Sequence, residues 1–191
     1  MIYLVRHGQT AMNRKKVLQG RSDLPLNEEG RKEAAEAGRR LKEAGIVFDR
    51  GYSSPLIRAR ETAGLITDAP LITDERLIEM DYGPYEGMDL MHPAPEVMAF
   101  FSDFAGHPAP EGMEALEDVV RRLGEFLEEI QAEAGEKTIL LSTHAIAMKG
   151  ALEYLTPGTN GAWWSRYIGN CAVYRTGITA EGSWIPPVLW E

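Results

Sequence analysis

Two histidines and two arginines stand just after apolar runs, where a chain can expose reactive side chains. Arg6 and His7 follow the run at residues 2–5, His144 follows Thr-Ile-Leu-Leu-Ser at 138–142, and Arg58 comes shortly after Ser53-Ser54-Pro55. Guanidinium groups stay charged and offer forked donors that match the geometry of a phosphate-like oxyanion. A neutral imidazole is a competent nucleophile toward phosphorus, and nearby arginine charge helps to keep it neutral. After such an attack the leaving alkoxide needs a proton, which calls for a carboxylic acid that remains protonated near neutral pH. Glu79 has apolar neighbours suited to that task in Leu77-Ile78-Glu79-Met80-Asp81-Tyr82-Gly83, and Asp81 is its rival. The two histidines lack the His-x-x-x-His spacing or carboxylate cluster of a metal hydrolase, so neither metal nor cofactor is expected.

The elements between these residues must bring them together. Residues 2–5 are β-branched and aromatic and end at Arg6-His7-Gly8, which predicts a strand and then a turn. Asn27 can cap a helix whose first turn holds Glu28 and Glu29, with Ala34, Gly38 and Leu41 on one face and Gly45 as its stop. Residues 47–53 predict a second strand, Ser54-Pro55 the start of a helix reaching about Ile66, and 70–73 a short third strand. Residues 83–112 are irregular and proline-rich, with a short helix expected at 96–104. Leu116, Val119, Val120, Leu123, Phe126, Leu127 and Ile130 trace the apolar face of a long helix that Gly135 should end. Residues 138–142 predict a strand, 147–155 a helix, and 172–174 and 184–188 two last strands with Thr176-Gly177 between them.

Strands alternating with helices predict an α/β fold, a mainly parallel central sheet with helices on both faces. One domain is expected over 1–191, with residues 80–113 inserted as a cap over the site. Open parallel sheets bind ligands outside the carboxyl ends of their strands. Arg6, His7, Ser53, Ser54, Arg58 and His144 all fall at that edge.

The chain has 191 residues, 44% hydrophobic and 26% charged, as in ordinary globular proteins. Its net charge of −9 argues against a general nucleic-acid binder but not against a small anion held by a local cluster of arginines. The first apolar run is too short for a signal-peptide core, and no run approaches a membrane span. The single cysteine, Cys171, excludes an internal disulfide and fits a reducing compartment. A cytoplasmic location and a small phosphorylated metabolite as partner are the expectations; the oligomeric state is open.

Leu4-Val5-Arg6-His7-Gly8-Gln9-Thr10 resembles the signature of the histidine phosphatase superfamily, which includes the cofactor-dependent phosphoglycerate mutases. Four further blocks resemble that family in order: Asn13 with Gln19-Gly20 and Asp23-Leu24-Pro25-Leu26; Ser53 to Ala63 around Arg58; Leu77-Ile78-Glu79 with Glu86-Gly87; and Ser142-Thr143-His144. Five ordered blocks from Met1 to about Leu155 are specific where any one alone would be weak. The resemblance implies that His7 is phosphorylated, that Arg6, Arg58 and His144 hold the phosphoryl oxygens, and that Glu79 is the proton donor. It also implies substrate contacts from Asn13, Gln19, Gly20 and Ala145, and no metal. Ala145 stands where glycine is usual, Met12 where tryptophan is common, and the likeness thins beyond Leu155. Met80-Asp81-Tyr82-Gly83 replaces the Arg-His-Tyr-Gly that follows the glutamate in mutases, which favours hydrolysis over a mutase.

The remaining candidates have plainer readings. His92 and His107 precede prolines and are expected in loops, Trp163 and Trp164 in packing, Cys171 as a small buried hydrophobe, and Arg14-Lys15-Lys16 on a solvated face. A phosphate-binding module without catalysis is the alternative of another class, though such proteins usually lack the nucleophile or the acid. Phosphoserine, a sugar phosphate, phosphoglycerate and alpha-ribazole phosphate all stand as substrates, with specificity expected in 80–113. The stretch around Glu79 and the turn at His144 resemble metal-independent phosphoserine phosphatases.

Overall fold

The computed structural model describes residues 1–104 and 106–191. In chain order the elements are β1 (Ile2–Arg6), α1 (Ala11–Arg14), α2 (Glu28–Glu43), β2 (Arg50–Ser53), α3 (Ile57–Ile66), β3 (Leu71–Thr73), α4 (Pro95–Ser102), α5 (Leu116–Glu136), β4 (Ile139–Thr143), α6 (Ala145–Leu155), β5 (Val173–Ile178) and β6 (Trp184–Trp190). Single 3-10 turns lie at Glu75–Leu77 and Gly83–Tyr85.

The strands form one six-stranded sheet in the order β3-β2-β4-β1-β5-β6. The β3-β2, β2-β4 and β4-β1 pairs are parallel, while β5 and β6 add antiparallel pairs at one side. Side chains alternate across the sheet as the pleat requires. Ile2, Leu4, Tyr52, Ile139 and Leu141 pack with α5 and α6, whereas Tyr3, Val5, Leu140 and Val173 pack with Leu41 of α2 and Ala63 of α3. Both faces are therefore covered, which is why β1 and β4 read as apolar runs without alternation. This is the α/β architecture expected from the element order. Because β1, β2 and β4 run parallel, the residues after them, His7, Ser54 and His144, emerge along one edge.

Of the boundaries that differ from expectation, four have a plain local reason. β2 covers only Arg50–Ser53, since Val47 is exposed and at Asp49, whose N–H still donates to Thr138 O, the side-chain carboxylate takes the Thr138 N–H. α3 starts at Ile57 and has no side-chain cap; the Ser54 hydroxyl accepts from the Leu56 N–H, one residue ahead of the helix, and bonds His144. α5 runs through Gly135 to Glu136, because burial of Ile130 and Ala134 outweighs the weak helix propensity of glycine. Thr176 and Gly177 lie inside β5, where the register with β6 shifts, and the turn falls at Thr179–Ser183 instead.

The turn after β1 is pressed against the first turn of α2. A β-carbon on Gly30 would collide with the backbone N and O of Gln9, and one on Gly8 with the Gly30 carbonyl. Gly30→Ala gains about 1 kcal/mol of helix propensity, but the collision is with backbone and no rotamer change relieves it. Overpacking of this kind costs about 1–3 kcal/mol or more. The net expectation is a loss of about 2 kcal/mol, read as a lower urea midpoint at unchanged m-value; a gain in midpoint would show that the turn can yield.

Candidate active site

His7 is buried at the end of β1. Its Nδ1–H donates to Gly8 O at 2.7 Å, which fixes the tautomer and leaves Nε2 unprotonated. Nε2 accepts from Arg58 Nε at 3.3 Å. Burial first, then the charges of Arg58 and Arg6, push the imidazole well below its ordinary pKa, so His7 is neutral.

Arg58, in the first turn of α3, is fully buried. Its remaining nitrogens donate to Gly20 O at 2.6 Å and Ser22 O at 2.7 Å. That loop is itself shaped by Glu86, whose carboxylate takes the N–H groups of Gly20 at 2.9 Å, Ser22 at 3.2 Å and Arg21 at 3.3 Å. Three successive amides around one carboxylate turn the carbonyls of the loop toward the guanidinium. Glu86 thus orients Arg58, and Arg58 meets His7.

His144 caps α6 at the end of β4 and lies with its ring centroid 5.1 Å from that of His7. Its Nε2 is bonded to the Ser54 hydroxyl at 2.7 Å, and Ser54 Oγ accepts from Leu56 N–H. Burial, Arg58 and His7 depress the pKa of His144 as well. The open N–H groups at the start of α6 are met by Glu79: its carboxylate accepts from Ala147 at 3.0 Å, Ile146 at 3.2 Å and Met80 at 2.9 Å. The Glu79 segment is clasped from α5. Arg122 donates to Arg76 O at 2.7 Å and Ile78 O at 2.6 Å and pairs with Glu114, which accepts the Asp81 N–H. Asp81 itself turns outward to Arg21 at 3.1 Å.

A cavity of about 530 Å³ opens at this edge, and Arg6, His7, Asn13, Gln19, Glu79 and Ala145 all line it. Residues 80–113 add Tyr82, Leu90, Pro93, Met98, Phe101 and Ser102 to its wall. Arg58 and His144 lie behind His7, and Gly20 sits behind Arg58. Asn13 Oδ1 is occupied by the Thr10 N–H of the α1 capping box. Ala145 begins α6 without a positive φ, so the backbone there does not require the glycine usual at this position. Arg6 Nε, Gln19 Nε2 and His144 Nδ1 are buried nitrogens with no partner among the described residues. A buried donor left unpaired costs about 1–3 kcal/mol, and an oxyanion, which only accepts, is the ligand that relieves several at once.

The family model for the histidine phosphatase superfamily (branch 1) matches residues 2–187. The chain belongs to that superfamily. The match runs beyond Leu155, where the sequence blocks alone lose the likeness. A 2,3-bisphosphoglycerate-dependent phosphoglycerate mutase of Brucella melitensis is 36% identical over 174 residues, 82% of each chain. Two solved structures carry phosphatase names. A mycobacterial glucosyl-3-phosphoglycerate phosphatase in complex with VO3 superposes with a TM-score of 0.84 at 25% identity, covering 99% of this chain and 97% of that one. A phosphoserine phosphatase mutant from Entamoeba histolytica in complex with phosphoserine gives 0.82 at 25% identity, covering 100% and 94%.

Within this superfamily member, sequence reasoning passed over the hydroxyl of Ser54 as a partner of His144, the Glu86 clasp and the Arg122–Glu114 pair. Lys149 also escaped it, one turn into α6 and on the cavity wall. His92 and His107 are exposed in loops, Trp163 and Trp164 are buried in the core, and Cys171 is half-buried with its thiol pushed up to about 12 by burial. Among the described residues, no helix is long and apolar enough to cross a membrane.

The two buried imidazoles make stability depend on pH. Both have folded-state pKa values well below the ordinary 6.5. Below 6.5 the unfolded chain binds protons that the native site refuses, so stability is full above 6.5 and falls as pH drops from there toward the folded-state values. The slope approaches about 1.4 kcal/mol per pH unit for each imidazole well below pH 6.5 and averages about 1 kcal/mol per unit between about pH 7 and 5, read from urea midpoints. His7→Gln should remove about half of it, and an unchanged slope would place the proton uptake elsewhere.

Proposed function

We propose that the chain is a metal-independent phosphomonoesterase working through a phosphohistidine on His7. The observation that carries the reading is the neutral His7, its Nδ1–H committed to Gly8 O and its Nε2 set beside Arg58 at the cavity. Nε2 attacks phosphorus in line with the leaving oxygen. Arg6 holds the phosphoryl oxygens from the cavity wall as charge builds on them, and Arg58 and the unpartnered Nδ1 of His144 support that charge from behind His7. The leaving alkoxide takes a proton from Glu79. The carboxylate so formed then removes a proton from water, which attacks the phosphohistidine and releases phosphate with His7 restored. Glu79 suits this better than Asp81, because it lines the cavity while Asp81 is paired outside it. Asn13 and Gln19 contact the substrate from the same wall, and Gly20 acts through Arg58.

A mutase is the second reading, favoured by the name of the 36% identical relative. Such an enzyme must hold a carboxylate and phosphate on a small polyanion. Against it, the cations lining the cavity are Arg6 and Lys149, and much of the remaining wall is apolar: Leu90, Pro93, Met98, Phe101 and Ile168. That balance fits neither 2,3-bisphosphoglycerate nor a phosphoglycerate as closely as it fits a larger ester with an apolar body. The deciding experiment is phosphate release from p-nitrophenyl phosphate and a panel of metabolite monoesters in EDTA, beside interconversion of 2- and 3-phosphoglycerate. Metal-free release with slow interconversion supports the phosphatase. Fast interconversion with little release supports the mutase, and tight binding of esters without turnover supports a binding module.

A further inference from the structure

The cavity has an outer half that phosphoryl chemistry does not use. Lys149 lies on α6 four residues after Ala145 and three after Ile146, and so on the same helix face as both. That places it about 6 Å further along the axis than Ala145. It lines both the cavity of about 530 Å³ and an adjoining one of about 430 Å³ bounded by Phe101, Phe104, Trp164 and Tyr167. Its one hydrogen bond among the described residues goes to Trp164 O at 2.7 Å, and Nζ stands 5.3 Å from the centre of the Phe104 ring. An ammonium has three donors, so two are free for a ligand.

Much of the wall around Lys149 is apolar, with Asp103, Ser165 and Arg166 also lining the adjoining cavity. Leu90, Met98 and Tyr167 line the cavity and are exposed at its mouth, so the apolar wall continues outward to solvent. About 530 Å³ is the size of a site for a ligand well beyond three carbons. We propose that Lys149 is a specificity residue that binds an anionic group on the leaving alcohol, and that this alcohol has a broad apolar body seated between Phe101, Met98 and Tyr167. The inference rests on the phosphomonoesterase reading and narrows its substrate class. Burial lowers the Lys149 pKa to about 8, with Glu79 opposing and Arg6 adding to the shift. An incoming anion therefore meets a poorly solvated charge, where an ion pair is stronger than in water.

The test uses phenyl phosphates bearing a carboxylate at the meta or para position, attached directly or through two methylenes, each paired with its neutral amide. Wild type should prefer at least one carboxylate over its amide by about tenfold or more in kcat/KM, as for a hydrogen bond to a charged group. The preference should lie in KM, because a remote group binds ground and transition states alike. Lys149→Met, which keeps the apolar stem, should bring that ratio close to one, and Lys149→Arg should retain most of it. The ratio of two substrates on one preparation is independent of the folded fraction, so a poorly folding variant still reports. Wild type with no carboxylate preference, or a preference that survives Lys149→Met, overturns the proposal. Absence of turnover on every ester, amides included, instead overturns the phosphatase reading itself. 3-Phosphoglycerate, an anion without an apolar body, should be a poorer substrate than the preferred carboxylate; the reverse order removes the apolar half of the inference.

Discussion

His7→Ala is expected to lower phosphate release by about 10⁴-fold or more and to abolish the phosphoenzyme. No neighbouring group can replace it. His144, the nearest imidazole, has Nε2 held by Ser54 and sits behind His7, away from the cavity wall. The variant should still bind phosphate or vanadate, since Arg6, Arg58 and His144 remain, and that binding distinguishes a lost nucleophile from a lost fold. The measurement is chemical quench with labelled substrate: wild type should carry label that survives base and is lost in acid, and the variant none. The forward step should also keep its rate well below pH 6.5, because burial and two arginines hold His7 neutral there. Phosphate release by the variant within tenfold of wild type would remove His7 as nucleophile.

The residues that meet at the site were legible because the fold puts them there for a simple reason. His7, Arg58 and His144 each follow a strand of one parallel set, so alternation of strands and helices was enough to assemble them. The groups that hold them were not legible. Arg122 reaches Ile78 across 44 positions of sequence, and Glu86 reaches Gly20 across 66. On the sequence Arg122 looks like a surface charge and Glu86 stands only as part of a block resembling the family, without a role; only tertiary packing turns them inward. Ser54 misled in a different way: its position before a proline marks a helix cap, yet its hydroxyl accepts from the Leu56 N–H, ahead of the first helical residue, and also bonds a buried imidazole. Gly135 and Gly177 looked like breaks because local propensity favours them there. The packed face of α5 and the pairing of β5 with β6 override that preference. Lys149 was invisible for want of a partner in sequence; its meaning comes from two cavities meeting at one side chain.

Glu79→Gln should split the two halves of the reaction. Glutamine can keep its oxygen on the Met80 and Ala147 N–H groups and gives up only the longer bond from Ile146 at 3.2 Å, so the start of α6 should survive the change. The substitution leaves nothing to protonate a leaving alkoxide. For an alkyl phosphate, phosphorylation of His7 is expected to slow by about 10²–10⁴-fold, the usual contribution of a general acid. p-Nitrophenolate departs without a proton, so with p-nitrophenyl phosphate the same step should be much less affected. Water must still be activated to clear the phosphohistidine, and the amide cannot do that either. The variant should then show a burst of one nitrophenolate per active site, followed by slow turnover and accumulated phosphoenzyme. Asp81→Asn, whose parent is paired with Arg21 outside the cavity, should change neither phase by more than a fewfold. Equal slowing of phosphorylation on both esters by Glu79→Gln would take the acid role from Glu79. Leaving-group dependence appearing in Asp81→Asn instead would give that role to Asp81, and would require the 80–83 turn to swing inward when substrate binds.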